Sequence, residues 1–214
     1  MPMAPSTFPL LYQVLLAALF ALALSAPASP ANKDQAPFDV AAGEFLWACC
    51  ANTTSAVVCY DSLLPLACSF QANRVKVAGA ATAIAFARLR RFGAELRHLQ
   101  REGGTGFGIL VNRTLESCLT YITVAFDDEG AVLAKLRRLE TAAGRRGKHV
   151  GLDLLDASLG LSEVGDSATS CADDFASLGG AVLASPLGKK VLSRNATVRL
   201  YQEIASELVA SIKL

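Results

Sequence analysis

Proline is nearly absent from most of this sequence. Of the eight prolines among 214 residues, six lie at or before Pro37, and only Pro65 and Pro186 follow. Because proline inside a helix removes a hydrogen bond and clashes with the preceding turn, the stretch after residue 37 can support long helices. An excess of either charge is also lacking. The formal net charge is +1, which excludes the strong basic field typical of nucleic-acid binding.

Charged side chains are missing from the first 25 residues. The apolar run from Leu10 to Leu24 is followed by small residues, which is typical of a secretory signal peptide and short for a membrane span. We predict a signal peptide over 1–25, a flexible lead-in over 26–37, and a secreted, extracellular product that is free of the membrane after cleavage. An uncleaved signal anchor is the alternative, because the segment before the apolar run contains no lysine or arginine.

Motifs for catalysis or metal binding are scarce. The two histidines are His98, near a predicted helix end, and His149, in a basic linker. The cysteines form no C-x-x-C pair, and the chain has no phosphate-binding glycine loop and no G-x-S-x-G motif. The acidic clusters at 127–129 and 173–174 are interpreted as solvated faces or as a recognition surface. We therefore predict no enzyme, no catalytic residue, no metal site and no cofactor.

Apolar residues recur at helical spacing from residue 38 onward. A helical hairpin is predicted over 38–68, with its turn at 52–55. Four longer helices are predicted: from Val77 to a stop at Gly103-Gly104, from Leu115 to an end at Gly144 and Gly147, from about Leu152 to Leu178, and from Pro186 to Ile212. The expected inward residues of the third are Leu155, Leu159, Cys171 and Phe175. Short connections make neighbouring helices antiparallel, so we predict an all-α, up-down-up-down four-helix bundle over 74–214, preceded by the hairpin.

Features of exported proteins recur in the part of the chain after residue 38. An oxidising compartment would allow disulfides among the six cysteines, for which 15 pairings exist. N-glycosylation sequons predict sugar at Asn52, Asn112 and Asn195. A dense basic run is interpreted either as a solvated face and linker or as a weak site for an anionic polysaccharide. Its members are Arg137, Arg138, Arg145, Arg146 and Lys148.

Four segments together carry a resemblance to a known family. Cys50 and Cys59 enclose eight residues, Leu115–Cys118 falls on a predicted helix, Thr169–Phe175 on the next, and Leu192–Ala196 precedes the C-terminal amphipathic part of the last. The chain from 38 to 214 resembles the plant invertase and pectin methylesterase inhibitor family. The resemblance implies a hairpin and four-helix bundle stabilised by two disulfides, Cys50–Cys59 and Cys118–Cys171. Cys49 and Cys68 lie outside the pattern and either pair with each other or stay free. Because Cys49 adjoins Cys50, the register of the first disulfide is open.

The resemblance also implies a function. Members of the family bind and block a carbohydrate-active enzyme in a stoichiometric complex, so we expect an apoplastic inhibitor of a cell-wall pectin methylesterase. The positions that the resemblance assigns to target contact are Thr120, Val124, Asp127, Ser170 and Asp173. The alternatives are an inhibitor of acid invertase (a β-fructofuranosidase), or a non-inhibitory secreted module that binds a wall polysaccharide or a receptor.

Two departures from the family pattern bear on the target. Esterase inhibitors of the family often carry acids where this chain has Thr120 and Val124, and often a tyrosine at the position of Ile122, whereas Tyr121 lies one place earlier. Invertase inhibitors carry a Pro-Lys-Phe segment before the third bundle helix, and the stretch 149–156 contains none. The second departure favours the esterase over the invertase.

Overall fold

The computed structural model describes residues 39–103, 108–142 and 148–213, and these contain helices and no strand. The predicted signal peptide and lead-in lie outside the described residues. The described elements are α1 (Val40–Cys50), α2 (Ala56–Leu63), a 3-10 helix (Leu64–Ser69), α3 (Arg74–Gly103), α4 (Ile109–Asp127), α5 (Glu129–Thr141), α6 (Lys148–Ser177), α7 (Gly180–Ala184) and α8 (Pro186–Ala210). The predicted all-α class is confirmed.

Four helical rods form the bundle. Helices α3, α6 and α8 each form one rod, and α4 and α5 together form another. Helix α3 packs against α8 and against α4 and α5, and α6 packs against the same three helices from the other side. The ion pairs Lys135–Asp156 and Arg138–Asp153 show that α5 and α6 run in opposite directions, because the residue number rises along α5 while it falls along α6. Lys76–Glu140 and Arg90–Glu129 show opposite directions for α3 and α5, and the contacts of Gly165 with Gln202 and of Ala168 with Asn195 show the same for α6 and α8. Consecutive rods are therefore antiparallel neighbours, which confirms the predicted up-down-up-down bundle.

The core of the bundle consists of aliphatic and aromatic side chains from all four rods. Among the described residues, Phe86 of α3 and Phe175 of α6 are the largest side chains that are completely buried. Burying a side chain of this size stabilises the fold by roughly 1.5–3 kcal/mol relative to its exposure to water. The packed face of α8 includes Val191, Val198, Ala205 and Leu208, as its spacing predicts.

The hairpin is held both internally and against the bundle. Asp39 caps α1 by accepting hydrogen bonds from the backbone N–H groups of residues 41 and 42 at 3.0 and 3.3 Å. A disulfide between Cys50 and Cys59 joins α1 to α2. The turn between them contacts α8, because the backbone N–H of Thr54 donates to Oε2 of Glu207 at 2.9 Å.

The second rod differs from the prediction of one helix from Leu115 to an end at Gly144 and Gly147. It begins earlier, at Ile109, and divides into α4, which ends at Asp127, and α5, which begins at Glu129. The division falls in an acidic run directly before Gly130, and aspartate and glycine are both poor residues for a helix interior. Glu129 in the first turn of α5 interacts favourably with the helix dipole, which stabilises the start of a new helix at this point.

The prediction that Leu155 and Leu159 face the core is wrong. Their side chains are exposed, and the inward face of α6 begins instead with Ala157 and Leu161 and continues through Val164. Two residues along a helix correspond to about 200° of rotation, so residues 159 and 161 lie on opposite sides. Helix α6 thus carries two apolar stripes, and the buried one combines small residues such as Ala157 with large ones such as Leu161 and Phe175.

Candidate functional site

A buried disulfide joins the two helices that carry the predicted contact residues. Cys118 of α4 and Cys171 of α6 are bonded, with their Cα atoms 4.7 Å apart and both side chains fully buried. Both disulfides implied by the resemblance are therefore present. A link across 53 residues stabilises the fold by about 4 kcal/mol if it acts by restricting the unfolded chain. The disulfide fixes how α4 and α6 lie against each other.

A polar contact supports the same pair of helices. The hydroxyl of Tyr121 on α4 donates to Oδ2 of Asp174 on α6 at 3.2 Å. This hydrogen bond, followed by the negative charge of Asp174 and by burial, raises the pKa of Tyr121. The sequence interpretation did not assign a role to this pair. A usable signal was present, since each residue lies three positions after a cysteine of the disulfide.

The five predicted contact residues lie on these two adjacent helices. On α4, Thr120, Val124 and Asp127 follow one another at steps of four and three, and all three are exposed. On α6, Ser170 is half-buried and Asp173 is exposed. We call these five residues the α4–α6 surface.

The polar groups of the α4–α6 surface are available to a partner. The hydroxyl of Thr120 donates to the backbone carbonyl of Glu116 at 3.1 Å, which leaves its oxygen able to accept a hydrogen bond. Asp127 and Asp173 form no ion pair with any described residue. Val124, which is 52% exposed, adds an apolar side chain among them. Such a mixture is suited to protein recognition.

Neither histidine lies in a catalytic arrangement within the described residues. His98 is exposed, and its Nε2 lies 3.3 Å from Oε2 of Glu102, a carboxylate one turn away that the sequence interpretation overlooked. His149 is exposed near the start of α6. The part of the chain that the structure describes contains no group of His, Cys, Asp and Glu side chains able to hold a metal ion. It also contains no helix with the length and apolar character to cross a membrane.

One residue of the predicted basic run, Arg138, forms an ion pair with another side chain of this protein. Two nitrogens of Arg138 donate to the two carboxylate oxygens of Asp153 at 3.1 and 2.6 Å. This hydrogen bonding holds the pKa of Asp153 below its ordinary value. Arg145 and Arg146 lie outside the described residues, as does the side chain of Lys148. Polysaccharide binding through Arg138 would therefore compete with its bidentate contact to Asp153.

The predicted glycan at Asn195 is incompatible with this fold. The side chain is 2% exposed, and its Nδ2 donates to the backbone carbonyl of Ala168 at 2.6 Å. A sugar on that nitrogen would have to lie inside the bundle between α6 and α8. Asn52 is exposed in the turn of the hairpin, and Asn112 is half-buried on α4. Glycosylation at those two positions stays a prediction.

Cys49 and Cys68 form no disulfide with each other. Cys49 is a free buried thiol beside the first disulfide, whereas Cys68 is free and exposed at the end of the 3-10 helix. Burial raises the pKa of the Cys49 thiol, and the positive charge of Arg74 opposes that shift. A buried thiol with a raised pKa is poorly reactive, so Cys49 contributes to packing.

Comparison with known proteins supports the architecture. No protein-family model matches this chain, and no curated protein matches it significantly. Among solved structures, the chain is similar to the crystal structure of mutant form A of a pectin methylesterase inhibitor from Arabidopsis. The TM-score is 0.56 at 17% sequence identity, and the alignment covers 77% of this chain and 94% of the other. At this identity the similarity shows a shared fold.

Proposed function

We propose that this chain is a secreted protein inhibitor that binds and blocks a cell-wall pectin methylesterase in a stoichiometric complex. The observation that carries the proposal is the fold shared with a pectin methylesterase inhibitor along 94% of that protein's length. The α4–α6 surface supports it, because Asp127 and Asp173 have no ion-pair partner among the described residues and are free to meet a target.

The mechanism is occlusion. A rigid surface placed over the entrance to the esterase's substrate cleft excludes the polymer without any chemistry by the inhibitor. The Cys118–Cys171 disulfide and the Tyr121–Asp174 hydrogen bond hold the two contact helices in one arrangement. Pre-organisation of this kind lowers the entropy lost on binding. A standard interface buries about 1,600 Å² in total, so the five residues of the α4–α6 surface would form its centre.

Secretion is part of the same proposal. The two disulfides are suited to an oxidising extracellular compartment, and the apolar N-terminal run is suited to a signal peptide over 1–25. We place the mature protein in the apoplast, with glycans proposed at Asn52 and Asn112.

A charge substitution within the α4–α6 surface tests the proposal. Val124→Arg places a long cation at its centre, and we expect a loss of inhibition of at least tenfold, since unpaired buried charge is costly. Val57→Arg is the matched control, because Val57 is 62% exposed and lies on α2 of the hairpin. Residual esterase activity is measured while each variant is titrated into the enzyme. Equal potency of wild type and Val124→Arg would remove the α4–α6 surface from the contact.

A further inference from the structure

Helix α6 exposes an apolar row on its solvent side. Leu152, Leu155 and Leu159 are 49%, 53% and 59% exposed. Their spacing of three and four residues makes them neighbours on the helix surface. A single exposed leucine needs no explanation, but a continuous row of them is a feature of surfaces that contact another protein. We call these three residues the leucine row.

An acidic groove lies beside the leucine row. It occupies about 460 Å³ between α5 and α6, and Leu159 forms part of its wall. The charged residues of its described walls are Lys135, Asp128, Asp156, Glu163 and Asp166. Lys135 pairs with Asp156, whereas the other three carboxylates form no ion pair within the described residues. We call these three the groove carboxylates.

The leucine row and groove carboxylates are continuous with the α4–α6 surface. Leu159, Glu163, Asp166, Ser170 and Asp173 follow one another along α6 at steps of four and three. Such spacing keeps residues on one face of a helix. The outer face of α6 is thus apolar in its first half and acidic in its second half, and the acidic half carries two residues of the α4–α6 surface.

We propose that the leucine row and the groove carboxylates form a second contact area for the target esterase. This area receives apolar side chains of the esterase that are flanked by lysine or arginine. The inference rests on the proposed function and specifies the chemistry of the partner. Charge complementarity carries it, because three unpaired carboxylates next to exposed leucines attract a cationic and apolar surface. Such a contact would bury the leucines at the centre and leave the charged groups at the rim.

Charge repulsion disfavours a second copy of this chain as the occupant. A two-fold symmetric contact brings the same patch of both copies together. With the two-fold axis at the groove, the carboxylates of both copies would face one another, and like charges across an interface are repulsive. An esterase is the better partner on chemical grounds. Hydrolysis of methyl esters along a polymer leaves carboxylates, and cationic side chains near the enzyme's cleft would attract that polyanion.

Binding kinetics with an immobilised pectin methylesterase test the inference. Leu155→Ala/Leu159→Ala removes apolar contact, so we expect roughly a tenfold rise in the dissociation constant, mainly through faster dissociation. Glu163→Gln/Asp166→Asn removes charge with little change in shape. We expect this variant to associate severalfold more slowly and to lose much of the wild type's dependence on salt.

Matched controls come from elsewhere in the chain. Leu110→Ala removes a leucine that is 65% exposed on α4, and Glu44→Gln removes an exposed carboxylate on α1. Both controls should bind like wild type, and all variants should keep the wild-type circular dichroism spectrum and melting temperature.

The outcomes separate the two proposals. If both double variants bind like wild type while Val124→Arg weakens binding, the second contact area is wrong and the proposed function stands. If wild type binds no pectin methylesterase, both proposals fail. If wild type sediments as a dimer that Leu155→Ala/Leu159→Ala dissociates, the leucine row is an interface between copies and the inference is overturned.

Discussion

The close approach of α5 to α6 depends on a single missing methyl group. A Cβ atom added at Gly160 would lie 2.2 Å from Cγ2 of Val132. Carbon atoms in contact are normally about 3.5–4.0 Å apart, so the overlap exceeds roughly 1 Å. Val132 is buried and β-branched, with one strongly preferred side-chain rotamer in a helix, so it has little freedom to move away. Gly160→Ala must therefore push the two helices apart or strain the side chain.

The expected cost follows from two opposing effects. Overpacking of a core typically costs about 1–3 kcal/mol, and replacing a helical glycine by alanine contributes about 1 kcal/mol of stability. For an overlap this large we expect the net free energy of unfolding to fall by about 2 kcal/mol. Gly151→Ala is the matched control on the same helix, because nothing lies within 4 Å of the added Cβ. That control should gain up to about 1 kcal/mol.

Urea unfolding followed by circular dichroism measures both variants, with the midpoint and slope fitted together. Val132→Ala provides the second test, since it removes the atom that the new methyl group would strike. In the Val132→Ala background, Gly160→Ala should cost at least about 1 kcal/mol less than in the wild type. If Gly160→Ala proves as stable as Gly151→Ala, the packing argument for α5 and α6 is refuted.

Three further predictions concern bonds inside the bundle. Replacing Cys118 and Cys171 by alanine should lower the free energy of unfolding by about 4 kcal/mol in urea titrations, and an unchanged midpoint would contradict the structural role of the disulfide. Asn195→Ala removes the buried hydrogen bond to the carbonyl of Ala168, so it should cost about 0.5–1.5 kcal/mol, and mass spectrometry of the secreted wild type should find no sugar on Asn195. Because Arg138 lowers the pKa of Asp153 in the folded state, their contact stabilises the protein above the unfolded pKa and is lost as pH falls through the folded value. Asp153→Asn should therefore lower the melting temperature at pH 7, and this deficit should vanish in strong acid.

The overall architecture was predictable because it depends on patterns that the sequence repeats many times. Long stretches without proline and apolar residues at steps of three and four define four rods, and short connections then leave few ways to arrange them. The core faces of α3 and α8 followed from this spacing. The disulfide pairing came from the resemblance, since six cysteines alone allow many pairings.

The orientation of α6 was predicted only in part, because Cys171 and Phe175 are buried as expected whereas Leu155 and Leu159 are exposed. Its buried face includes Ala157, Gly160 and Ala168, whereas its exposed face carries larger leucines. A prediction from hydrophobicity alone places the larger residues in the core. Small residues are buried here because helices approach closely, and that depends on residues such as Val132 in another part of the chain.

Other differences also arise from contacts between distant residues. The sequon at Asn195 is a local pattern, but its burial depends on the carbonyl of Ala168, 27 residues earlier. Likewise, Arg138 belongs to a basic run in sequence and to an ion pair in the structure. The predicted contact residues lie on α4 and α6, the two helices that the Cys118–Cys171 disulfide joins, and their role in contact stays a prediction.

The most direct test of the proposed function is a paired titration of the secreted, disulfide-bonded protein into a plant pectin methylesterase and, separately, into an acid invertase. The proposal predicts saturable loss of esterase activity at a near-equal molar ratio, with the invertase unaffected. Loss of invertase activity alone would contradict the proposed target. Loss of neither activity would contradict inhibition itself and favour a secreted binding module built on the same fold.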